Sequence, residues 1–532
     1  MDQNNTNPPK ANRHEREAAF HRSATRSLLL QKNPIMNLSA SKLWRWSCAA
    51  SLLLGACRAP KQATERTPLV PAPAAWSAPL ASPTGQPPAT SIKHWWESFE
   101  DPGLNELVLN VLGANLDLQI AASRLNAAAA QARMAGAALW PKVNATGDAA
   151  RSRQNFVGLP VPGAGGSVLS SNSTNIGVSL GVSWEIDLWG KLDARERSAA
   201  AGWQAGQADY VGAQLSLAGQ AAKSWFALIE AREQLGLAKQ TIEAYELSTA
   251  VLRNRFEQRG TAALDLRLAE SQLASAKARF AATEESLARI TRQIEALQGK
   301  YPTGLVESAN ELPGLPGALI GILPGELLRR RPDVVAAEHR LQAADLDLYA
   351  ASKDIYPSIS LGASAGRRGS DLDNLTDSDF DIWSLISNIT VPIFEGGRLK
   401  AQIEVDEAEA RAALQDWSRG LLQAFLEVET ALAAESPLQR REAALAHATR
   451  EAQAAQRLAE ERYGAGRGDI LTVLEARQRA FANHSAWIAV RRALFELRID
   501  LYLALGGGFG EEPDQAPSDN TSAPGQTPEL SQ

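Results

Sequence analysis

A long-range repeat constrains this chain more than any other feature. Between Leu264 and Leu297, the residues Leu266, Leu273, Phe280, Leu287 and Ile294 recur every seven positions, and Ala269, Ala276, Thr283, Ile290 and Leu297 follow each by three. This a/d seam runs through five heptads, as in a helix that packs lengthwise against another helix. A shift of 207 residues (266 to 473) lands on Val473, Ala480, Trp487, Leu494 and Leu501, and on Ala476, Asn483, Val490, Leu497 and Ala504. Only Asn483 is clearly polar. The same shift lays Arg255-Phe256 on Arg462-Tyr463 and Trp189-Gly190-Lys191-Leu192 on Gly396-Gly397-Arg398-Leu399. The chain is a tandem duplication, so one plan must serve both halves.

Each half shows the same succession. A helical pattern ends at Trp140-Pro141 and again at Tyr356-Pro357. Two alternating stretches follow, separated by a loop rich in small and polar residues. In 176–187, Val178, Leu180, Val182, Trp184 and Ile186 share one face, opposite Gly177, Ser179, Gly181, Ser183 and Glu185. In 357–367, Ile359, Leu361, Ala363 and Ala365 oppose small polar residues. Residues 143–153 and 382–393 are weaker copies. A strand of about ten residues is long enough to cross a tilted path through a bilayer. A half-buried soluble sheet is the bland alternative, but the small polar face suits a water-filled lumen. Four strands cannot enclose water, because about eight give a barrel filled by its own side chains. Three copies would supply twelve.

The helices set the second dimension. Residues 191–258 lack proline and predict one helix roughly 100 Å long at 1.5 Å per residue. Its partner spans 264–298. The second copy is 397–460 and 468–505, with Pro437 predicting a break or kink. Shorter helices are expected over 104–138 and 332–354. Helices this long cannot bury themselves in a small globule and must lie side by side.

Charge is unevenly spread along the chain. Eight of the 54 Lys/Arg and three of the 60 Asp/Glu precede Cys57, leaving 46 against 57 and a net charge of −11 from Cys57 onward. That acidity argues against nucleic acid as a partner. The basic start coincides with a secretory signal: Lys42 and Arg45, the apolar run Cys48–Leu54, then Gly55-Ala56. Met36 is the probable initiator. Leu54-Gly55-Ala56-Cys57 resembles a bacterial lipobox, in which Cys57 would carry diacylglycerol and an N-acyl chain. The alternative is a plain signal with an incidental cysteine. No run of 18 apolar residues follows Cys57, so any crossing must be made by strands closed into a barrel.

Catalytic constellations are missing. Gly299-Lys300 is followed by Tyr301, which is no phosphate-binding loop. The glycines of 158–166 sit in a hairpin loop rather than between strand and helix. No His-x-x-x-His or Glu-x-x-His pair occurs, and two cysteines exclude a cysteine zinc site. No enzyme activity, metal or soluble cofactor is expected.

Several separated motifs carry a family resemblance. Trp95-Trp96-Glu97-Ser98-Phe99-Glu100-Asp101-Pro102, Trp184-Glu185-Ile186-Asp187-Leu188-Trp189-Gly190, Arg330-Arg331-Pro332-Asp333-Val334, Pro392-Ile393-Phe394-Glu395-Gly396-Gly397-Arg398 and Leu505-Gly506-Gly507-Gly508 resemble the outer-membrane efflux lipoproteins related to TolC, of the NodT/OprM type. The resemblance covers about residues 93–508. It implies an α+β membrane protein: a homotrimer with a 12-stranded transmembrane β-barrel, four strands per protomer, continued by a periplasmic α-helical coiled-coil barrel. It implies an exit duct of a tripartite efflux system, passively passing small toxic compounds. The partners would be a periplasmic adaptor protein and an inner-membrane transporter of the resistance-nodulation-division type. A duct for protein secretion and a non-conducting coiled-coil envelope scaffold are the rivals. The scaffold has no need of four alternating strands.

The resemblance also places the working residues. Helix reversals around Arg259-Gly260 and Gly464-Ala465-Gly466-Arg467-Gly468-Asp469 would form the periplasmic tip and meet the adaptor. Gly260, Gly464, Gly466 and Gly468 are candidates for the positive φ of a tight reversal. Arg467 and Asp469 are candidates for a polar latch, with Tyr463 beside them; ordinary helix capping is the alternative. Leu471-Thr472-Val473-Leu474-Glu475-Ala476 resembles the family's aperture segment. Members often carry acids at the positions of both Thr472 and Glu475, and this chain keeps only Glu475, which weakens the case for a two-ring cation filter. Asp265 matches Thr472 in the first half. The expected organisation is a cleaved leader 1–56, a Pro/Ala-rich tether 57–92, repeats 93–300 and 325–508 about a connector 301–324, and a disordered tail 509–532.

Overall fold

The structure, a computed structural model, describes residues 67–77, 94–156, 169–258, 262–317, 324–325 and 330–507. The leader, Cys57 and the C-terminal tail lie outside these residues. In chain order the elements are α1 (Pro102–Ala114), α2 (Leu116–Gly136), β1 (Lys142–Phe156), β2 (Leu169–Ile186), α3 (Lys191–Glu257), α4 (Ala263–Leu297), α5 (Pro332–Lys353), β3 (Ser358–Gly369), β4 (Asp381–Thr390), α6 (Arg398–Gly464) and α7 (Ile470–Ala504). Moving α3 by 207 positions gives α6 at both ends, and moving α4 gives α7. The long helices have 67 residues each and their partners 35.

Three expectations are corrected. The single helix over 104–138 is two helices. Asn115 ends α1 and caps α2: its side chain accepts from the Asp117 and Leu118 amides at 2.9 and 3.1 Å and donates to the Leu297 carbonyl at 2.9 Å. Of the break or kink expected at Pro437, the break does not form: α6 runs through the proline. The proline lacks one helix hydrogen bond, but the preceding turns are pinned by the buried Val428, Ala431 and Leu432. β4 also stops at Thr390 rather than 393, just before Pro392, which cannot donate to a ladder.

Aromatic residues build the main core. Trp95, Trp96 and Phe99 are buried against α3 and α7. Trp95 stacks on Tyr502 with ring centroids 5.4 Å apart, and Phe226 on Phe495 at 4.4 Å. Asp101 caps α1 through the Gly103 and Leu104 amides and accepts from the Trp225 indole at 2.7 Å. The Trp-Trp-Glu-Ser-Phe motif therefore locks the start of the body onto both repeats. Arg331, just before Pro332 opens α5, is buried. It forks onto Asp333 at 2.7 and 3.0 Å and reaches Glu427 at 2.6 Å. Burial alone would lower its pKa, but Asp333 and Glu427 outweigh that and raise it.

The connector 301–317 has no regular structure, so its backbone groups need side-chain partners. Arg232 donates to the Val306 and Ser308 carbonyls, Arg491 to Leu312 and Pro313, and Arg498 to Gly317. Glu295 accepts from the Thr303 hydroxyl and from the Gly304 and Leu305 amides at 2.6, 2.6 and 3.0 Å. The Thr303 bond is the chief reason its pKa is lowered; the two amides and Arg292 add to that effect, and burial opposes it. A depressed carboxylate stabilises above its unfolded pKa, and that stability is lost as pH falls through the folded value. Protection of the Gly304 and Leu305 amides against hydrogen exchange should therefore fall as pH drops below the ordinary glutamate range. Glu295→Gln should flatten that dependence.

Candidate functional site

Alternation along the strands becomes a two-faced sheet because the register keeps like faces together. The order is β1-β2-β3-β4, all antiparallel. Val143, Val182 and Ala363 lie in one row, and Ala145, Leu180 and Ala365 in the next. Val178, Leu180, Val182 and Trp184 are exposed to between 37 and 58 %. On β4, Trp383, Leu385 and Ile389 extend the same face and are also exposed. The opposite face is mostly polar or small, although Ile382 and Ile386 of β4 also lie on it. Thr146 and Ser179 bond at 2.9 Å, Ser364 and Ser384 at 2.8 Å, and Arg368 reaches Asp148 at 2.9 Å. Gly366 is required there, since a Cβ would lie 2.2 Å from the Val178 carbonyl oxygen.

The dimensions suit a bilayer. Ile176 to Ile186 spans eleven residues, about 35 Å along a strand, which a tilt of about 40° reduces to about 27 Å of height. Among the described residues no helix is long and apolar enough to cross a membrane. Of the aromatics near the strand ends, Trp184 donates to the Leu139 carbonyl and Trp189 to Pro357, and Trp189 packs on Tyr356 at 5.0 Å. Trp140 and Trp383 are 72 and 80 % exposed.

At the far end of the long helices, α6 turns into α7 through a Schellman motif. The Arg467 amide bonds to the Arg462 carbonyl at 2.9 Å and the Gly466 amide to Tyr463 at 3.0 Å. Only Gly466 uses a positive φ, +70°. Gly464 is helical. Gly468 suits a close approach, since a Cβ there would lie 3.0 Å from the Tyr463 nitrogen and crowd the last turn of α6. Of the described candidates for a positive φ, Gly466 alone uses it, and Gly464 and Gly468 do not. Asp469 holds the N-cap position of α7, but its side chain makes no capping bond. Among the described residues Arg467 and Asp469 form no ion pair, so no latch between them exists within one protomer. Arg259 and Gly260 lie outside the described residues.

Tyr463 has a partner in the tip of the first repeat, a pairing that the sequence does not show. Arg255, near the end of α3, donates to the Tyr463 hydroxyl at 3.1 Å, with its guanidinium 5.1 Å from the ring centroid. The two tips of one protomer are thereby joined. A small apolar island lies behind them, built from Tyr245, Leu252, Ala269, Ile470, Val473 and Leu474. Thr472 and Glu475 lie on the exposed face of α7, opposite the buried Val473 and Leu474. Asp265 is half-buried in the first turn of α4, where the helix dipole favours an acid. Arg477 is a residue that sequence reasoning did not single out. It bonds to Glu460 on α6 and to the Ala244 carbonyl and Ser248 hydroxyl on α3. Its sequence signal is its place at an e position of the heptad, beside the seam. Among the described residues no group of His, Cys, Asp and Glu could hold a metal ion.

Comparison with known proteins agrees with this architecture. The residue pattern of the family described as outer membrane efflux protein matches residues 107–300 and 323–507. The probable efflux pump outer membrane protein TtgC of Pseudomonas putida is 30 % identical over 470 residues, covering 87 % of this chain and 95 % of the relative. Outer membrane protein OprJ of Pseudomonas aeruginosa is 31 % identical over 470 residues, with 87 and 95 % coverage. The solved outer-membrane channel OprN superposes with a TM-score of 0.74 at 29 % identity, covering 83 % of this chain and 99 % of that one.

Proposed function

This chain belongs to the outer membrane efflux protein family, and from that premise we propose that three copies close their sheets into one barrel wall. It is an outer-membrane protein and serves as the exit duct of an efflux system. The observation that carries the trimer is the sheet itself: an exposed apolar face, a polar face, and unpaired outer edges on β1 and β4. Each unsatisfied backbone group in hydrocarbon costs several kcal/mol. Joining β4 of one copy to β1 of the next removes every edge. Strand directions alternate, so the junction is again antiparallel, and three copies give twelve strands. Mass measurement in detergent with bilayer conductance tests this; a monomer that conducts nothing would overturn it.

The duct does no chemistry of its own. The energy comes from an inner-membrane pump, the helical hairpins extend the passage across the periplasm, and an adaptor meets the tips at Gly464–Asp469. Cys57 carries the lipid anchor, which mass spectrometry of the mature N-terminus checks. The aperture is lined by Glu475 on the exposed face of α7, flanked by Thr472, with Asp265 at the matching place in the first repeat. Carboxylates gathered near one axis attract cations and repel anions. Glu475→Ala should lower the cation preference measured as a reversal potential across a salt gradient, and Thr472→Asp should raise it. Unchanged reversal potentials in both variants would remove these residues from the aperture.

A further inference from the structure

The two hairpins of one protomer, α3/α4 and α6/α7, meet along the seam between α3 and α7. At the upper end the seam is tight, with Phe226 stacked on Phe495 and Arg492 paired with Glu230 at 2.6 Å. Further down it opens into a cavity of about 180 Å³, lined by Gln240, Thr241, Gln453, Gln456, Phe481 and His484 among others. Below the cavity the hairpins meet again at the apolar island behind the tips. Arg477 stands at that boundary, on the cavity's lower wall. Its side chain is only 12 % exposed. From α7 one guanidinium reaches two other helices: Glu460 at 2.7 Å on α6, and the Ala244 carbonyl at 2.8 Å with the Ser248 hydroxyl on α3. Its carbon lies 5.9 Å from the ring centroid of the buried Tyr245.

We propose that Arg477 is a positioning residue that ties the tips of the two hairpins of one protomer into a single body. A loosely filled seam above and a small island below leave the tips with little apolar area of their own to hold them together. A planar fork with several donors fixes both distance and rotation, which a point charge cannot. Arg477 lies two residues beyond Glu475, so it sets how the aperture face of α7 stands relative to α3; this last step rests on the duct reading above.

Spin labels on the exposed Leu247 of α3 and Gln478 of α7 report the hairpin separation in the assembled protein. One narrow separation is expected for the native clasp. Arg477→Ala should lose it in favour of a broad, longer one, and Arg477→Lys should fail to restore it, because the ammonium keeps the charge and loses the fork. Ser248→Ala with Glu460→Leu removes both side-chain acceptors and leaves only the Ala244 carbonyl, with the arginine in place; it should broaden the separation too, which guards against a misfolded Arg477 variant. An unchanged separation in Arg477→Ala, or full rescue by lysine, overturns the proposal. Conductance of the same samples tests the duct reading separately: a broadened separation without any change in conductance leaves the clasp standing and removes the tips from the aperture.

Discussion

Leu180→Arg should nearly abolish the assembled protein in the outer membrane. Leu180 sits midway along Ile176–Ile186 on an inner strand, flanked by Ala145 and Ala365, and is 58 % exposed on the apolar face. Nothing in the protomer covers it, so its surroundings in the assembly are lipid. An arginine at bilayer midplane on such a wall costs about 2–4 kcal/mol, and every copy in the ring carries one. The small neighbours give a guanidinium no acceptor to fold onto. Ser183→Arg is the control. Ser183 lies three residues away on the other face, beside Lys142 and Gly362, where the new side chain stays in water. The amount of heat-resistant oligomer on a gel should collapse for Leu180→Arg and hold for Ser183→Arg. Equal behaviour of the two would mean that the sheet does not divide lipid from water.

Arg498→Ala should destabilise the body by about 3–5 kcal/mol, the usual cost of leaving a buried charge without its partner. Arg498 is 3 % exposed. It holds Glu435 of α6 at 2.7 Å and the Gly317 carbonyl of the connector at 2.9 Å. Truncation strands a carboxylate and a backbone oxygen together, within one helical turn of the Phe495 stack. It also releases the helix turn just before Pro437. Replacing both partners, as Arg498→Leu with Glu435→Leu, removes the uncompensated charge and should recover most of the loss. Urea unfolding of the two variants beside the parent protein measures both effects. A single-variant loss below 1 kcal/mol would mean that water reaches the pair.

The two-copy plan, the alternating strands and the long helices were legible because each rests on local periodicity. Seven-residue spacing marks α4 and α7, and a period of two marks β2 and β3, whatever their neighbours are. What escaped the sequence depends on partners far along the chain. Asn115 reads as an ordinary residue inside a helical run until the Leu297 carbonyl, 182 positions away, accepts from its amide. Pro437 reads as a break until the buried Val428, Ala431 and Leu432 in the turns before it outweigh it. Arg255 and Arg477 reach residues more than 200 positions distant, and no local pattern encodes such a meeting. The tip glycines look alike in sequence. Only the hydrogen-bond pattern shows that Gly466 supplies the left-handed turn and Gly468 the close approach, while Gly464 remains in the helix.

The bare margins of β1 and β4 carry a genetic corollary. A protomer whose β4 margin is spoiled still offers a sound β1 to its neighbour and is drawn into rings that it cannot complete. With equal expression of sound and spoiled copies, only about one ring in eight would be wholly sound under closed threefold symmetry. Damage at a strand margin should therefore act dominantly, whereas damage that prevents folding should be recessive.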